Sequence, residues 1–317
     1  MGTPSPWPAD SPDRRDGLVY VMPDEVGLAI DVALATKRPL LLRGEPGCGK
    51  SSLAAYVARI RGWRYYEHVV TSRTKGGDLL WTYDHIRRLS DAQVREKGTA
   101  LTDDDYVTPG PLWWALDPAS AAVGPKAGAR RTDPWHEVNE NRSPSGAVVL
   151  IDEIDKADPD MPNSLLVPLG SRQFTVSETG QKVGRKTAGE GSAPSSGSPL
   201  VIITTNEERE LPQAFLRRCV VASLPEPDVE RLVEIAAAHY RGEGTPFGPA
   251  DERLALELAQ ELDRARSEAR RTAVRTPSTA EYLDALRACT ALGIDTEDSR
   301  WSMLKSLTLI KPQQPEL

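Results

Sequence analysis

Apolar residues in this chain form short unbroken runs as far as Leu224 and helical stripes beyond it. Residues 23–36 carry Val26, Ile30, Ala33 and Leu34 at helical spacing, which predicts an opening helix. Pro39 then introduces Leu40-Leu41-Leu42, an apolar run bounded by Gly44 that reads as a buried strand. A helix over 51–61 follows, with Leu53, Val57 and Ile60 on its inner face. Further strands are predicted over 64–70, 147–151, 200–205 and 219–224, and a short helix over 163–169. Phe174-Thr175-Val176 begins a hairpin whose Gly/Ser/Pro-rich tip is expected to run to Ser198. Between residues 71 and 145 the pattern breaks into small patches that specify no regular element.

From Pro227 onward, residues 228–240, 251–268 and 278–292 show helical periodicity and no strand signal. Strands alternating with helices, then helices alone, predict an α/β domain followed by a small helical one, with Pro225 and Pro227 at the boundary. The first 17 residues, rich in Pro, Ser and Asp, are expected to form a disordered or irregular arm. The expected domains are therefore 18–224 and 225–317.

Composition narrows the function classes. No apolar run approaches a membrane-spanning length, and no apolar stretch follows the start as in a secretory signal, so a cytoplasmic protein is expected. Three scattered cysteines (Cys48, Cys219, Cys289) form no CxxC pair and suit a reducing compartment. Asn141-Arg142-Ser143 matches a glycosylation sequon but lacks the secretory context that would give it meaning. The net charge of −7 argues against nucleic-acid binding through a general electrostatic footprint.

Three motifs carry chemistry. The first is GEPGCGKS, which satisfies G-x-x-x-x-G-K-[ST] between a predicted strand and a predicted helix. Within Gly44, Glu45, Pro46, Gly47, Cys48 and Gly49, the glycines let the backbone curl so that successive N–H groups face a phosphate chain. Lys50 is expected to reach the β- and γ-phosphates and Ser51 to take a Mg2+ position, with Ser52 next in the helix's positive N-terminal turn. The second motif is the run 148–151 followed by Asp152-Glu153, an apolar strand that delivers two carboxylates at its C-terminal end. Asp152 is the candidate Mg2+ ligand and Glu153 the candidate general base toward water. The third is Thr204-Thr205-Asn206, where Asn206 leaves an apolar strand and is placed to orient the lytic water, or else simply caps a turn.

Together, GEPGCGKS, VVLIDEIDKADPDMPNSLLVPL, TTNEERELPQAFLRRC and RTPSTAEYLDAL resemble the AAA+ ATPases, specifically their MoxR-like branch, across residues 20–289. The resemblance implies a parallel five-stranded sheet of order 5-1-4-3-2 and a helical lid. It also implies ATP and Mg2+ as ligands and a homo-oligomeric ring, usually a hexamer. Under it Asn206 corresponds to sensor 1, and LPQAFLRRC to the segment ending in the arginine finger, Arg218 or else Arg217. Such an arginine would act on a neighbouring subunit's ATP, against charge developing on the transferred phosphoryl group. Arg275 corresponds to sensor 2, with Arg270 and Arg271 as competitors. Cys48 and Arg217 depart from the residues common in that branch, and the second departure leaves the finger open between two arginines. Insertions are expected at about 106–145 and 173–198, where Trp113, Trp114 and Trp135 either contact a client or pack internally.

The function so implied is ATP-driven remodelling or activation of a partner protein, often one carrying a von Willebrand A domain. The alternatives are a nucleic-acid-linked motor or a GTP-using restriction-type NTPase, and an ATP-binding regulatory module with little turnover. Acidic charge, the lack of NKxD, and the intact set Lys50, Asp152, Glu153 and Asn206 weigh against these three in turn.

Overall fold

A computed structural model describes residues 16–94, 101–125, 128–184, 197–272 and 274–309. Five strands form the main sheet: β1 (Leu40–Arg43), β2 (Trp63–Val69), β5 (Ser143–Asp152), β8 (Leu200–Thr205) and β9 (Val220–Ser223). Between them lie β3 (Trp81–Tyr83) with β4 (Val107–Pro109), and β6 (Gln173–Thr175) with β7 (Lys182–Gly184), each an antiparallel pair. The main sheet runs β2-β5-β8-β1-β9, which is the expected 5-1-4-3-2 read from the other edge. The pairs β1–β8, β2–β5 and β5–β8 are parallel.

The central strands carry unbroken apolar stretches where both faces are covered. Leu40, Leu41 and Leu42 are fully buried, as are Val148 through Ile151 and Ile202 with Ile203. The outermost strand β9 alternates half-buried and exposed positions, as an edge strand with one covered face should.

By their contacts the residues gather into two compact units. One contains Asp24–Arg43 and Val57–Ala222, hence the main sheet except Ser223, and its core includes Tyr66, Leu112, Trp113, Ile151 and Phe215. The other contains Gly44–Tyr56, residues 16–23 and the chain from Ser223 on. Its core is built from the helices Val229–Gly242, Pro249–Thr272, Thr279–Leu292 and Trp301–Thr308. The phosphate-loop motif thus clusters with the helical segment that follows the sheet in sequence, and not with the strands that flank it.

Several expectations need revision. The predicted helix over 163–169 is two short ones, Met161–Ser164 and Leu166–Ser171. The hairpin closes within residues 176–181, because Val183 is buried opposite Phe174 and Val176 is buried beside it. The Gly/Ser/Pro-rich stretch therefore follows the hairpin and is not its tip; residues 185–196 lie outside the described residues. The irregular region contains a ten-residue helix, His85–Val94, and the short helix Pro111–Leu116, whose Trp113 and Trp114 are buried. Trp113 donates to Ser120 Oγ at 2.8 Å and Trp135 sits edge-on to Tyr66 at 5.3 Å, so these tryptophans pack internally. Of the expected N-terminal arm, residues 1–15 lie outside the described residues.

Candidate active site

The phosphate-loop motif lies in the second unit. Gly44, Gly47 and Gly49 adopt φ of +154°, +75° and +96°, which L side chains rarely tolerate. At Gly47 space adds a second constraint: a Cβ there would lie 2.7 Å from Ser278 Cβ. The carbonyl of Gly47 also accepts the Ala280 N–H at 3.2 Å. Lys50 opens the helix Lys50–Ile60 and is buried; its ammonium donates to the carbonyls of Gly44 at 2.7 Å and Glu45 at 2.9 Å. Ser51 and Ser52 occupy the next positions of that first turn, at the positive end of the helix. Burial pushes the Cys48 thiol above its ordinary range, and the nearby Lys50 charge opposes the rise.

A buried cluster at the C-terminal ends of β5 and β8 belongs to the first unit. Asp152 ends β5, and its Oδ1 accepts a 2.6 Å bond from the Thr204 hydroxyl. The same hydroxyl oxygen accepts the Glu153 N–H at 2.8 Å. Glu153 has left-handed backbone (φ 58°, ψ 53°), an uncommon conformation for a residue with a side chain. It turns the chain sharply after the strand, and Glu153 Oε1 accepts a 3.0 Å bond from Asn206 Nδ2. Asn206 is fixed from its backbone: Asp155 Oδ2 accepts its N–H at 3.1 Å and that of Glu208 at 3.0 Å. The other oxygen of Asp155, Oδ1, is buried without a hydrogen-bond partner among the described residues. Arg43, the residue before Gly44, pairs in register with Thr205, the residue before Asn206.

Arg217 and Arg218 are exposed on the turn after the helix Gln213–Leu216. Arg38 donates to the Arg217 carbonyl at 3.1 Å, and Arg218 to the Ala214 carbonyl at 3.0 Å. Arg218 lines a groove of about 440 Å³ whose other residues include Lys37, Arg38, Arg172, Leu166 and Phe215; Arg217 is not among its lining residues.

In the helical segment after the sheet, Arg275 makes a two-pronged pair with Glu281, at 3.0 and 3.2 Å. Glu281 also closes the capping box at Ser278, the N-cap of the helix Thr279–Leu292. Arg270 pairs with Glu226, and Arg271 with Glu268 at 3.5 Å.

Sequence reasoning gave no role to four residues that the structure singles out. Thr204 and Asp155 hold the cluster through hydrogen bonds that no spacing reveals. Arg266 is buried and donates to the carbonyls of Pro277 and Pro227, both at 3.0 Å, fixing the approach to Ser278. Tyr20 places a ring carbon 3.3 Å from where a Gly49 Cβ would stand, and burial pushes its hydroxyl pKa up. Only Arg266 left a signal, as an arginine among the apolar positions of its helix.

The residues fit a nucleotide and its metal. Positive-φ glycines and a buried lysine suit a phosphate chain. The hydroxyl of Ser51 and the carboxylate of Asp152 are hard oxygen donors of the kind Mg2+ takes. No helix among the described residues is long and apolar enough to cross a membrane.

Comparison with known proteins agrees. A family model for the AAA domain (dynein-related subfamily) matches residues 39–219. No curated protein matches the chain. Among solved structures, the Holliday junction branch migration motor RuvB of Thermotoga maritima is 16% identical, over 90% of this chain and 67% of that one, with a TM-score of 0.45. A putative ATPase from Cytophaga hutchinsonii is 16% identical, over 88% of this chain and 77% of that one, with a TM-score of 0.42. Likenesses this distant bear on neither reaction nor partner. The family model spans more than half of the chain and contains the phosphate loop, the carboxylate pair and Asn206, and the chain belongs to the AAA domain family, dynein-related subfamily.

Proposed function

We propose that this protein hydrolyses ATP with Mg2+ as a MoxR-like AAA+ ATPase, working as a ring oligomer that remodels or activates a partner protein. The observation that carries the catalytic part is the bond from Asn206 to Glu153, beside an Asp152 held by Thr204. A general base needs a fixed carboxylate and a nearby polar group to share the water it activates. These residues supply both at the end of a buried strand.

On this reading Lys50 and the loop amides bind the phosphates, and Ser51 and Asp152 hold the metal. Bound Mg2+ would neutralise charge on the phosphate oxygens. Glu153 takes a proton from the attacking water at its carboxylate, and Asn206 orients that water. Arg218, the arginine that lines the groove, serves as the finger toward a neighbouring subunit's nucleotide. Arg275 is the sensor 2 candidate, and its pairing with Glu281 must loosen for it to reach a phosphate.

The test is steady-state ATP turnover by the wild type, Glu153→Gln and Lys50→Ala, alongside binding of a fluorescent ATP analogue. Glu153→Gln should bind without turning over, and Lys50→Ala should not bind. A wild type that binds nucleotide but never hydrolyses it overturns the reading in favour of a regulatory module. The Glu153→Gln protein with ATP then serves as a trap for the partner. Turnover that depends on added DNA or RNA would replace the protein-remodelling reading with a nucleic-acid motor.

A further inference from the structure

We propose that Thr204 is a positioning residue for both carboxylates of the site, setting the metal-binding oxygen of Asp152 and the backbone of Glu153 through one hydroxyl. The proposal rests on the ATPase reading above and adds a role for a residue outside the phosphate loop, the carboxylate pair and the sensor.

The geometry is specific. Thr204 is fully buried within β8, where every neighbouring position is apolar or paired in the sheet. A hydroxyl at such a position is costly unless both its hydrogen and its oxygen are used. Here the hydrogen goes to Asp152 Oδ1 at 2.6 Å and the oxygen takes the Glu153 N–H at 2.8 Å. The O–H···O contact is close, at the short end of the range for such bonds. It fixes the carboxylate plane of Asp152 and so determines which oxygen is presented to a metal.

The second bond acts on the base. Glu153 stands in left-handed backbone, and such a conformation persists only when its surroundings over-determine it. Its N–H emerges where β5 ends and turns away from the strand ladder, and Thr204 receives it. With Asn206 holding the carboxylate at 3.0 Å, Glu153 is gripped at both ends by residues of one strand terminus. The hydroxyl of Thr204 is used by Asp152 and Glu153, and it acts through these neighbours. The β-branched side chain also suits the strand, so Val retains the shape and removes only the hydroxyl.

The experiment compares Thr204→Val and Thr204→Ser with the wild type. Three quantities are measured: ATP turnover, its Mg2+ dependence, and Mn2+ affinity by electron paramagnetic resonance with a non-hydrolysable ATP analogue bound. Thr204→Val should lower kcat and weaken metal affinity by about 10- to 100-fold each, the usual effect of losing a group that orients a ligand. Its affinity for the analogue without metal should stay close to wild type. Thr204→Ser keeps the hydroxyl and should restore both quantities to near wild type despite the lost methyl group. If Thr204→Val does not fold, Thr204→Ala takes its place with the same expected losses. A hydroxyl-free variant that folds and keeps wild-type metal affinity overturns the proposal, as does a Ser variant no better than Val. If instead the wild type shows no hydrolysis, the ATPase reading fails, while the Mn2+ comparison still decides the role of Thr204.

Discussion

Oε1 of Glu153 accepts a 3.0 Å hydrogen bond from Nδ2 of Asn206, although the two residues are 53 positions apart in the chain. The bond exists because β5 and β8 are adjacent and parallel, with Ile151 in register with Ile203, so both strands end on the same edge of the sheet. A carboxylate so held is oriented before any substrate arrives. Removing the amide should therefore slow the chemical step without weakening binding. Asn206→Ala should lower kcat with KM changed by less than a few-fold, and by less than Glu153→Gln, which should lose about 10²- to 10⁴-fold if Glu153 is the general base proposed above. Steady-state kinetics on the two variants check the order.

Arg218 and Arg217 differ in surroundings. Arg218 lines a groove rimmed by Lys37, Arg38 and Arg172, whereas the backbone carbonyl of Arg217 is tied to Arg38. Arg218→Ala should reduce turnover by about 10³-fold or more, the scale on which arginine fingers act, with nucleotide affinity little changed. Arg217→Ala should have a much smaller effect. Mixing Arg218→Ala with Glu153→Gln subunits should recover part of the turnover if the arginine serves a neighbouring subunit. Absence of recovery at any mixing ratio would place its action within its own subunit.

Gly47 combines a φ of +75° with a 2.7 Å approach to Ser278, so Gly47→Ala tests the contact between the phosphate loop and the lid helix. Left-handed backbone alone costs a residue with a Cβ roughly 1–2 kcal/mol, before any displacement of Ser278. For a chain of this size that lowers Tm by at least about 2–4 °C. Calorimetry should show the drop, and nucleotide affinity should fall with it because the loop must shift. Gly62→Ala is the control for the φ term: that glycine has φ +63° but nothing near its Cβ position, so its loss should be smaller.

Burial raises the pKa of all three thiols, Cys219 to about 12 and Cys289 to about 11. Cys48 is raised as well, but it is the least buried of the three and lies 3.9 Å from the Lys50 ammonium. Because the thiolate is the reactive form, alkylation by iodoacetamide should be slow at pH 7 and quicken toward and above pH 9. Cys48 should be modified first, and nucleotide should protect it if the loop encloses phosphates. Mass spectrometry of the labelled sites with and without ATP gives the answer. Early labelling of Cys219 would contradict the burial of that thiol.

The sequence alone determined that a phosphate-loop motif stands between a strand and a helix, and it determined the layout of the sheet. An eight-residue motif between an apolar strand and a helix leaves little freedom, because backbone N–H groups can face phosphates only where glycines permit the curl. Buried parallel strands likewise announce themselves as unbroken apolar runs, and the resemblance carried by the motifs supplied their order. Residues 71–145 stayed illegible because most of their elements are three-residue strands and four- to six-residue helices, too short to display a period, and the ten-residue helix His85–Val94 buries no residue. The helix Trp301–Thr308 went unnoticed for the same reason, at eight residues.

What only the tertiary structure decided is how the site is held. Thr204, a polar residue in an apolar strand, could equally have been a tolerated hydroxyl; its role depends on which atoms a neighbouring strand brings within 3 Å. The left-handed turn at Glu153, the Asp155 carboxylate beneath Asn206 and the pairing of Arg275 with Glu281 are likewise long-range or conformational facts. Hydrogen bonds fall off over fractions of an ångström, and local sequence does not encode distances between strands. The motif names the reacting groups, and the packing of β5 against β8 sets where they point.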